Sequence, residues 1–161
     1  MKKQTKIHNA NIITPYRILK LGSVLIDEGK IKEVSQGNID APEADSIDAE
    51  GKYLSPGFID IHVHGGGGHD FMDGSVEAFL KVAEAHARYG TTSLSPTTLT
   101  SERADLLKTL EDYEKANLKN SKGAQFIGMH LEGPYFALSQ RGAQDPRYIR
   151  NPDPEEYEAV I

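Results

Sequence analysis

Apolar and polar residues are patterned differently on the two sides of Ser55-Pro56-Gly57. Before it the apolar runs are short and β-like: Thr5 to Ile13, Val24 to Ile26 and Ile31 to Ser35, with Ser46-Ile47-Asp48-Ala49 as a further candidate. Asp27-Glu28-Gly29-Lys30 separates two of these runs and reads as a hairpin turn. Ala41-Pro42-Glu43-Ala44-Asp45 reads as a polar loop. Residues 1–55 are therefore predicted to form a small antiparallel β unit.

From residue 56 onward the pattern becomes strand, helix, strand, helix, strand. Ser75 caps a predicted helix whose stripe is Val76, Phe79, Leu80, Ala83 and Ala87, and Gly90 ends it. Thr91 to Thr98 is the second strand. Thr100 or Ser101 starts a helix using Leu106, Leu107, Leu110 and Tyr113. After Gly123, Gln125 to Leu131 is the third strand. Repeated βα units imply an α/β fold with parallel strands and right-handed crossovers. Asp153-Pro154-Glu155-Glu156 carries a capping carboxylate, proline at the first position and acids in the first turn, a helix start. Three parallel strands cannot close a barrel. At 161 residues the chain is also short of the about 250 that a complete α/β barrel takes. It reads as the N-terminal portion of a longer protein.

Candidate chemistry begins at Pro56-Gly57-Phe58-Ile59-Asp60-Ile61-His62-Val63-His64. Alternate side chains leave a strand on one face, so His62 and His64 are predicted to point together, about 6–7 Å apart, and to converge on one metal ion. Phe58, Ile59, Ile61 and Val63 predict a strand covered on both faces. The strand's C-terminal end is where α/β barrels place their chemistry. Glu132, in Gly128-Met129-His130-Leu131-Glu132-Gly133-Pro134 at the C-terminal end of the third strand, shares a face with His130 by the same alternation. It supplies a carboxylate for a nitrogen–oxygen ligand set suited to Zn²⁺ or another divalent ion.

Composition narrows the partners. A net charge of −6 argues against nucleic acid, and no apolar run reaches membrane-spanning length. Met1 to His8 is basic without the apolar stretch of a secretory signal, and there is no cysteine, which fits a cytoplasmic location.

The strand motif with His62 and His64 resembles the signature of the amidohydrolase superfamily. Together with His130-Leu131-Glu132-Gly133-Pro134 and Arg141-Gly142-Ala143-Gln144-Asp145-Pro146, it resembles more narrowly the N-acetylglucosamine-6-phosphate deacetylases, over essentially the whole chain. The resemblance implies a (β/α)8 TIM barrel, of which residues 56–161 are the first three βα units, with residues 1–55 part of a β-sandwich built from both chain ends. It implies hydrolysis of the acetamide of N-acetylglucosamine 6-phosphate to glucosamine 6-phosphate and acetate. The implied metal ligands are His62, His64 and Glu132, holding one or two ions, and the implied substrate contacts are Ala143 and Gln144. The family often has histidine where Gln144 stands. Two further metal histidines, the catalytic aspartate and most phosphate contacts are implied beyond residue 161. The whole enzyme is implied to be a homodimer acting on an amino-sugar phosphate, and the 161-residue chain alone is expected to be inactive.

Other readings stand beside these. Asp60 is read as a supporting group, and His130 as a ligand or, in preference, a hydrogen-bonded histidine of the core or the ligands' surroundings. His8, His69 and His86 are read as ordinary surface or loop residues. Gly65 to Gly68 lacks a phosphate-loop pattern and reads as a loop giving access to the site. Ser93, Ser95, Thr97 and Thr98 lack an activating base and read as strand hydroxyls. Arg141 is either an anion contact or a solvated arginine. An amidohydrolase acting on cyclic amides, and a non-catalytic fragment that binds metal or a partner chain, are the alternatives.

Overall fold

The computed structural model describes residues 4–160. Its contacts divide into two units at the Pro56–Gly57 junction.

The first unit contains β1 (Thr5–Ile13), β2 (Ile18–Asp27), β3 (Lys30–Gln36), β4 (Asp45–Asp48) and β5 (Tyr53–Leu54). The β2–β3 hairpin turns at Glu28 and Gly29, both at positive φ (50° and 78°), the two-residue geometry that follows strand twist. The sheet order is β3-β2-β1-β4, with β5 also on β1. β4 and β5 run parallel to β1, so the unit is one mixed sheet and not the purely antiparallel one predicted. The connection from β3 returns the chain to the far edge of β1, and strand direction there is set by that path, which local patterning does not encode. Ala10, Ile12, Leu19 and Val24 form its buried cluster.

The second unit contains β6 (Phe58–Val63), β7 (Gly65–Gly66), β8 (His69–Asp70), α1 (Val76–Ala87), β9 (Thr91–Pro96), α2 (Arg103–Lys119), β10 (Gln125–Phe126), a 3₁₀ turn at Leu138–Gln140 and α3 (Pro154–Val160). β10, β9 and β6 make a parallel three-stranded sheet in that order, so the chain is α/β. Phe71, Phe79, Val82, Ala83, Leu94, Ala116, Ala124 and Phe126 form the core between sheet and helices. Phe79 meets Phe126 edge-on with centroids 6.0 Å apart. The segment entering β10 lies against α1, where Ala124 N donates to the Ala83 carbonyl at 3.0 Å. A Cβ on Gly123 would stand 2.5 Å from Ala83 Cβ, so this approach requires glycine.

Of the predicted α1 stripe, Phe79 and Ala83 are buried, and Val76 and Leu80 pack partly buried against the core. Ala78 and Val82, outside the stripe, are fully buried, so the inward face is rotated from the predicted one. Ser75 Oγ accepts from Ala78 N at 3.2 Å, as expected. Ser75→Ala is expected to cost about 1 kcal/mol, read as a lower urea midpoint with an unchanged m-value. α2 starts later than predicted, after Glu102, whose side chain makes no capping bond.

Three further expectations are corrected. Phe58, Ile59 and Ile61 are 64%, 65% and 71% exposed rather than covered, because among the described residues β6 is the outer strand and pairs with β9 alone. The third strand is regular only over Gln125–Phe126. Gly128 at φ +135° breaks it, and His130 rejoins the sheet through an isolated parallel bridge to Thr97. The glycine run folds as a tight β7–β8 hairpin against α1, turning at Gly67 and Gly68, rather than as an open access loop.

Candidate metal centre

The C-terminal ends of β6 and β9 are joined through Thr97. Its N–H donates to the Val63 carbonyl at 2.9 Å, and its hydroxyl accepts from Val63 N at 3.1 Å. Thr97 is fully buried, so this link is shielded from water. The segment carrying Glu132 is tied to the same place. His130 N donates to the Pro96 carbonyl at 2.8 Å, and Thr98 N donates to the His130 carbonyl at 3.0 Å. Gly133 at φ +98° then turns the chain away.

These anchors bring three donor atoms together. His62 Nε2 and His64 Nε2 lie 3.3 Å apart. Glu132 Oε2 lies 3.0 Å from the first and 3.2 Å from the second. A tetrahedral ion with bonds of about 2.0–2.1 Å has ligand atoms about 3.3–3.4 Å apart, so the triangle has nearly the size of one coordination face. His64 Nδ1 lies 3.2 Å from the Thr97 carbonyl oxygen. A carbonyl only accepts, so Nδ1 carries the proton and, in a neutral ring, Nε2 presents a lone pair. That lone pair faces a carboxylate oxygen, an arrangement that calls for a cation or proton between them. Two imidazoles and one carboxylate are a suitable donor set for a divalent ion, and their half-exposed positions leave an approach open.

Gln144, although in a loop, is only 4% exposed. Its Oε1 accepts from Thr100 N at 2.8 Å and its Nε2 donates to Glu132 Oε1 at 2.7 Å. Neither partner was anticipated. A backbone N–H in one loop and a carboxylate twelve residues upstream leave no local pattern. Ala143, next to it, is exposed. Asp60 Oδ1 accepts from His62 N at 3.1 Å and so stiffens the strand end. The His130 ring is exposed, not buried in the core. It lies against His62 with centroids 4.8 Å apart and is not one of the three converging groups. His86 is no ordinary surface histidine: half-buried, it reaches the Gly65 carbonyl at 3.1 Å. Arg141 Nη1 donates to the Gln144 carbonyl at 3.1 Å, closing its own turn.

Comparison with known proteins gives this geometry a context. An N-acetylglucosamine-6-phosphate deacetylase of Bacillus subtilis is 35% identical over 159 residues, 96% of this chain and 40% of that protein. An N-acetylgalactosamine-6-phosphate deacetylase of Escherichia coli O157:H7 is 32% identical over 151 residues, 89% of this chain and 40% of that protein. The crystal structure of N-acetylglucosamine-6-phosphate deacetylase from Pasteurella multocida superposes with a TM-score of 0.87 at 30% identity, covering 98% of this chain and 41% of that one. An L-hydantoinase from Arthrobacter aurescens, at 19% identity and a TM-score of 0.61, shares the fold. The chain thus spans about two fifths of the length of the curated relatives it matches. The amidohydrolase family profile matches residues 53–161, two thirds of the sequence and all of the segment that carries His62, His64 and Glu132, and the chain belongs to that family.

Proposed function

We propose that this chain is the N-terminal portion of a metal-dependent deacetylase that hydrolyses the acetamide of N-acetylglucosamine 6-phosphate. The observation that carries the reading is the meeting of His62 Nε2, His64 Nε2 and Glu132 Oε2 at 3.0–3.3 Å, in a chain similar to deacetylases over almost its whole length. Residues 1–55 would belong to a β-sandwich, and residues 56–161 would be the first βα units of a (β/α)8 barrel. The bare apolar edge of β6 accords with further barrel strands beyond those described.

His62, His64 and Glu132 would hold the ion, most suitably zinc. Such an ion, when bound, polarises an amide carbonyl and acidifies water. The chain's own residues prepare its seat. The Thr97 carbonyl fixes the His64 tautomer, Asp60 braces the His62 backbone, and Gln144 holds the far oxygen of Glu132. The loop with Ala143 and Gln144 would border the sugar. The group that moves the proton from water to the leaving amine would lie beyond residue 161, as would most phosphate contacts. The complete protein would be a cytoplasmic homodimer.

The test is acetate release by the full-length protein. Turnover of N-acetylglucosamine 6-phosphate that a chelator abolishes and zinc restores is the expected result. None is expected from the 161-residue chain by itself. Preference for the 4-epimeric sugar would move the substrate to N-acetylgalactosamine 6-phosphate, whose deacetylase in Escherichia coli is a relative. Hydrolysis of a cyclic amide with no acetate released from either sugar would overturn the reading.

A further inference from the structure

We propose that Gln144 is a positioning residue that divides the Glu132 carboxylate, holding Oε1 so that Oε2 alone faces His62 and His64. The inference deepens the metal-centre reading and rests on it.

The orientation of the Gln144 amide follows from chemistry. Thr100 N–H can only donate, so the amide oxygen must face it, at 2.8 Å. The NH₂ group is thereby turned toward Glu132 Oε1, at 2.7 Å, a short bond to a charged acceptor. Both ends of the amide are thus engaged, and its burial shields them from competing water. Glu132 needs such a restraint. Its side chain has three rotatable bonds, and the next residue, Gly133, has no side chain to pack it. A Cβ on Gly133 would stand 2.1 Å from Thr100 Oγ1, so the Glu132 segment crosses close over the same loop whose N–H anchors Gln144. Loop, glutamine and carboxylate form one stack, and its outer end is Oε2, 3.0 and 3.2 Å from the two imidazoles. Carboxylates that ligate metals are commonly held by hydrogen bonds of this kind, whose loss typically costs about 10–100-fold in affinity.

Two variants of the full chain separate hydrogen bonding from packing. Gln144→Met keeps the length but neither bond. Gln144→His offers one ring nitrogen to accept from Thr100 N–H and the other to donate to Glu132. Zinc affinity measured by competition with a chromophoric chelator is expected to fall about 10–100-fold in Q144M. In Q144H it is expected to stay within about threefold of the parent, with the cobalt ligand-field spectrum of Q144H but not Q144M matching it. Equal affinities in Q144M and the parent, or equal weakening in both variants, would overturn the proposal. Should Q144M not fold, the Gln144 side-chain amide of the zinc-loaded parent decides by NMR. Slow exchange with water supports the clamp, and rapid exchange overturns it. A parent chain that binds no zinc at all would remove the metal centre itself, an outcome distinct from a Gln144 variant that binds like the parent.

Discussion

Replacing His62 and His64 together with alanine is expected to abolish specific zinc binding, with affinity falling by more than the about 10–100-fold that a lost supporting partner costs. The change removes two of three converging donors and leaves Glu132 Oε2 alone. The metal-free fold should notice little. Both rings are partly exposed, at 47% and 35%, and neither belongs to the buried core clusters. Exposed substitutions of this kind usually change stability within about 0.5 kcal/mol. Zinc should therefore separate parent and variant where chemical denaturation alone does not. Free zinc at a hundred times the dissociation constant stabilises a protein that binds it only when folded by about 2.7 kcal/mol. A thermal shift with zinc that persists in the double variant would show that the ion sits elsewhere.

That these two histidines could be found without a structure follows from their being neighbours in one strand, where period-two geometry is local and strict. The Ser75 cap, the position of α1 and the Glu28–Gly29 turn were legible for the same reason, since each is decided within a few residues. The inward face of α1, by contrast, also takes in Ala78 and Val82, which the predicted stripe left out. For Glu132 the local rule does not suffice. The predicted strand breaks at Gly128, and the carboxylate reaches the histidines because His130 is bonded to Pro96 and Thr98, not because alternation runs unbroken to residue 132. The glycine was visible in the sequence, but its φ of +135° was not. What stayed hidden was non-local. The parallel seating of β4 and β5 on β1 depends on a return path, and the Gln144 clamp depends on a loop folding inward to meet Thr100 and Glu132. The apolar run of β6 implied cover on both faces, but among the described residues only one edge is paired.

Replacing Arg150 with alanine is expected to destabilise the chain by about 3 kcal/mol at neutral pH, and the loss should shrink in acid. Arg150 Nε lies 2.9 and 3.1 Å from the two Glu156 oxygens, and its Nη2 also contacts that carboxylate. Its Nη1 donates to the carbonyls of Ser101 at 2.9 Å and Tyr148 at 2.7 Å, so one guanidinium ties the α3 segment to the loop before α2. The Glu156 side chain is 5% exposed and that of Arg150 28%, so truncation leaves a buried carboxylate with the Tyr135 hydrogen bond but without its ion-pair partner. Breaking buried pairs costs about 3–5 kcal/mol, and the partial exposure of Arg150 places this one at the low end. The hydrogen bond from Arg150 outweighs burial and holds the Glu156 carboxyl below the ordinary glutamate value of 4.5. A carboxyl lowered in the folded state contributes stability that is fully present above its unfolded pKa and is lost as pH falls through the folded value. In the alanine variant burial is opposed only by the lesser effects of the Tyr135 hydrogen bond and the Arg103 charge. The Glu156 carboxyl therefore rises relative to the parent's, and acid costs the variant less than it costs the parent. Urea unfolding of both proteins at neutral pH and near about pH 3 should therefore give converging stabilities. Glu156→Gln, neutral at every pH, should flatten the acid limb of the parent's profile. A stability gap between parent and R150A that is as wide in acid as at neutrality would mean that the guanidinium acts through its bonds to the Ser101 and Tyr148 carbonyls, and that its charge on Glu156 counts for little.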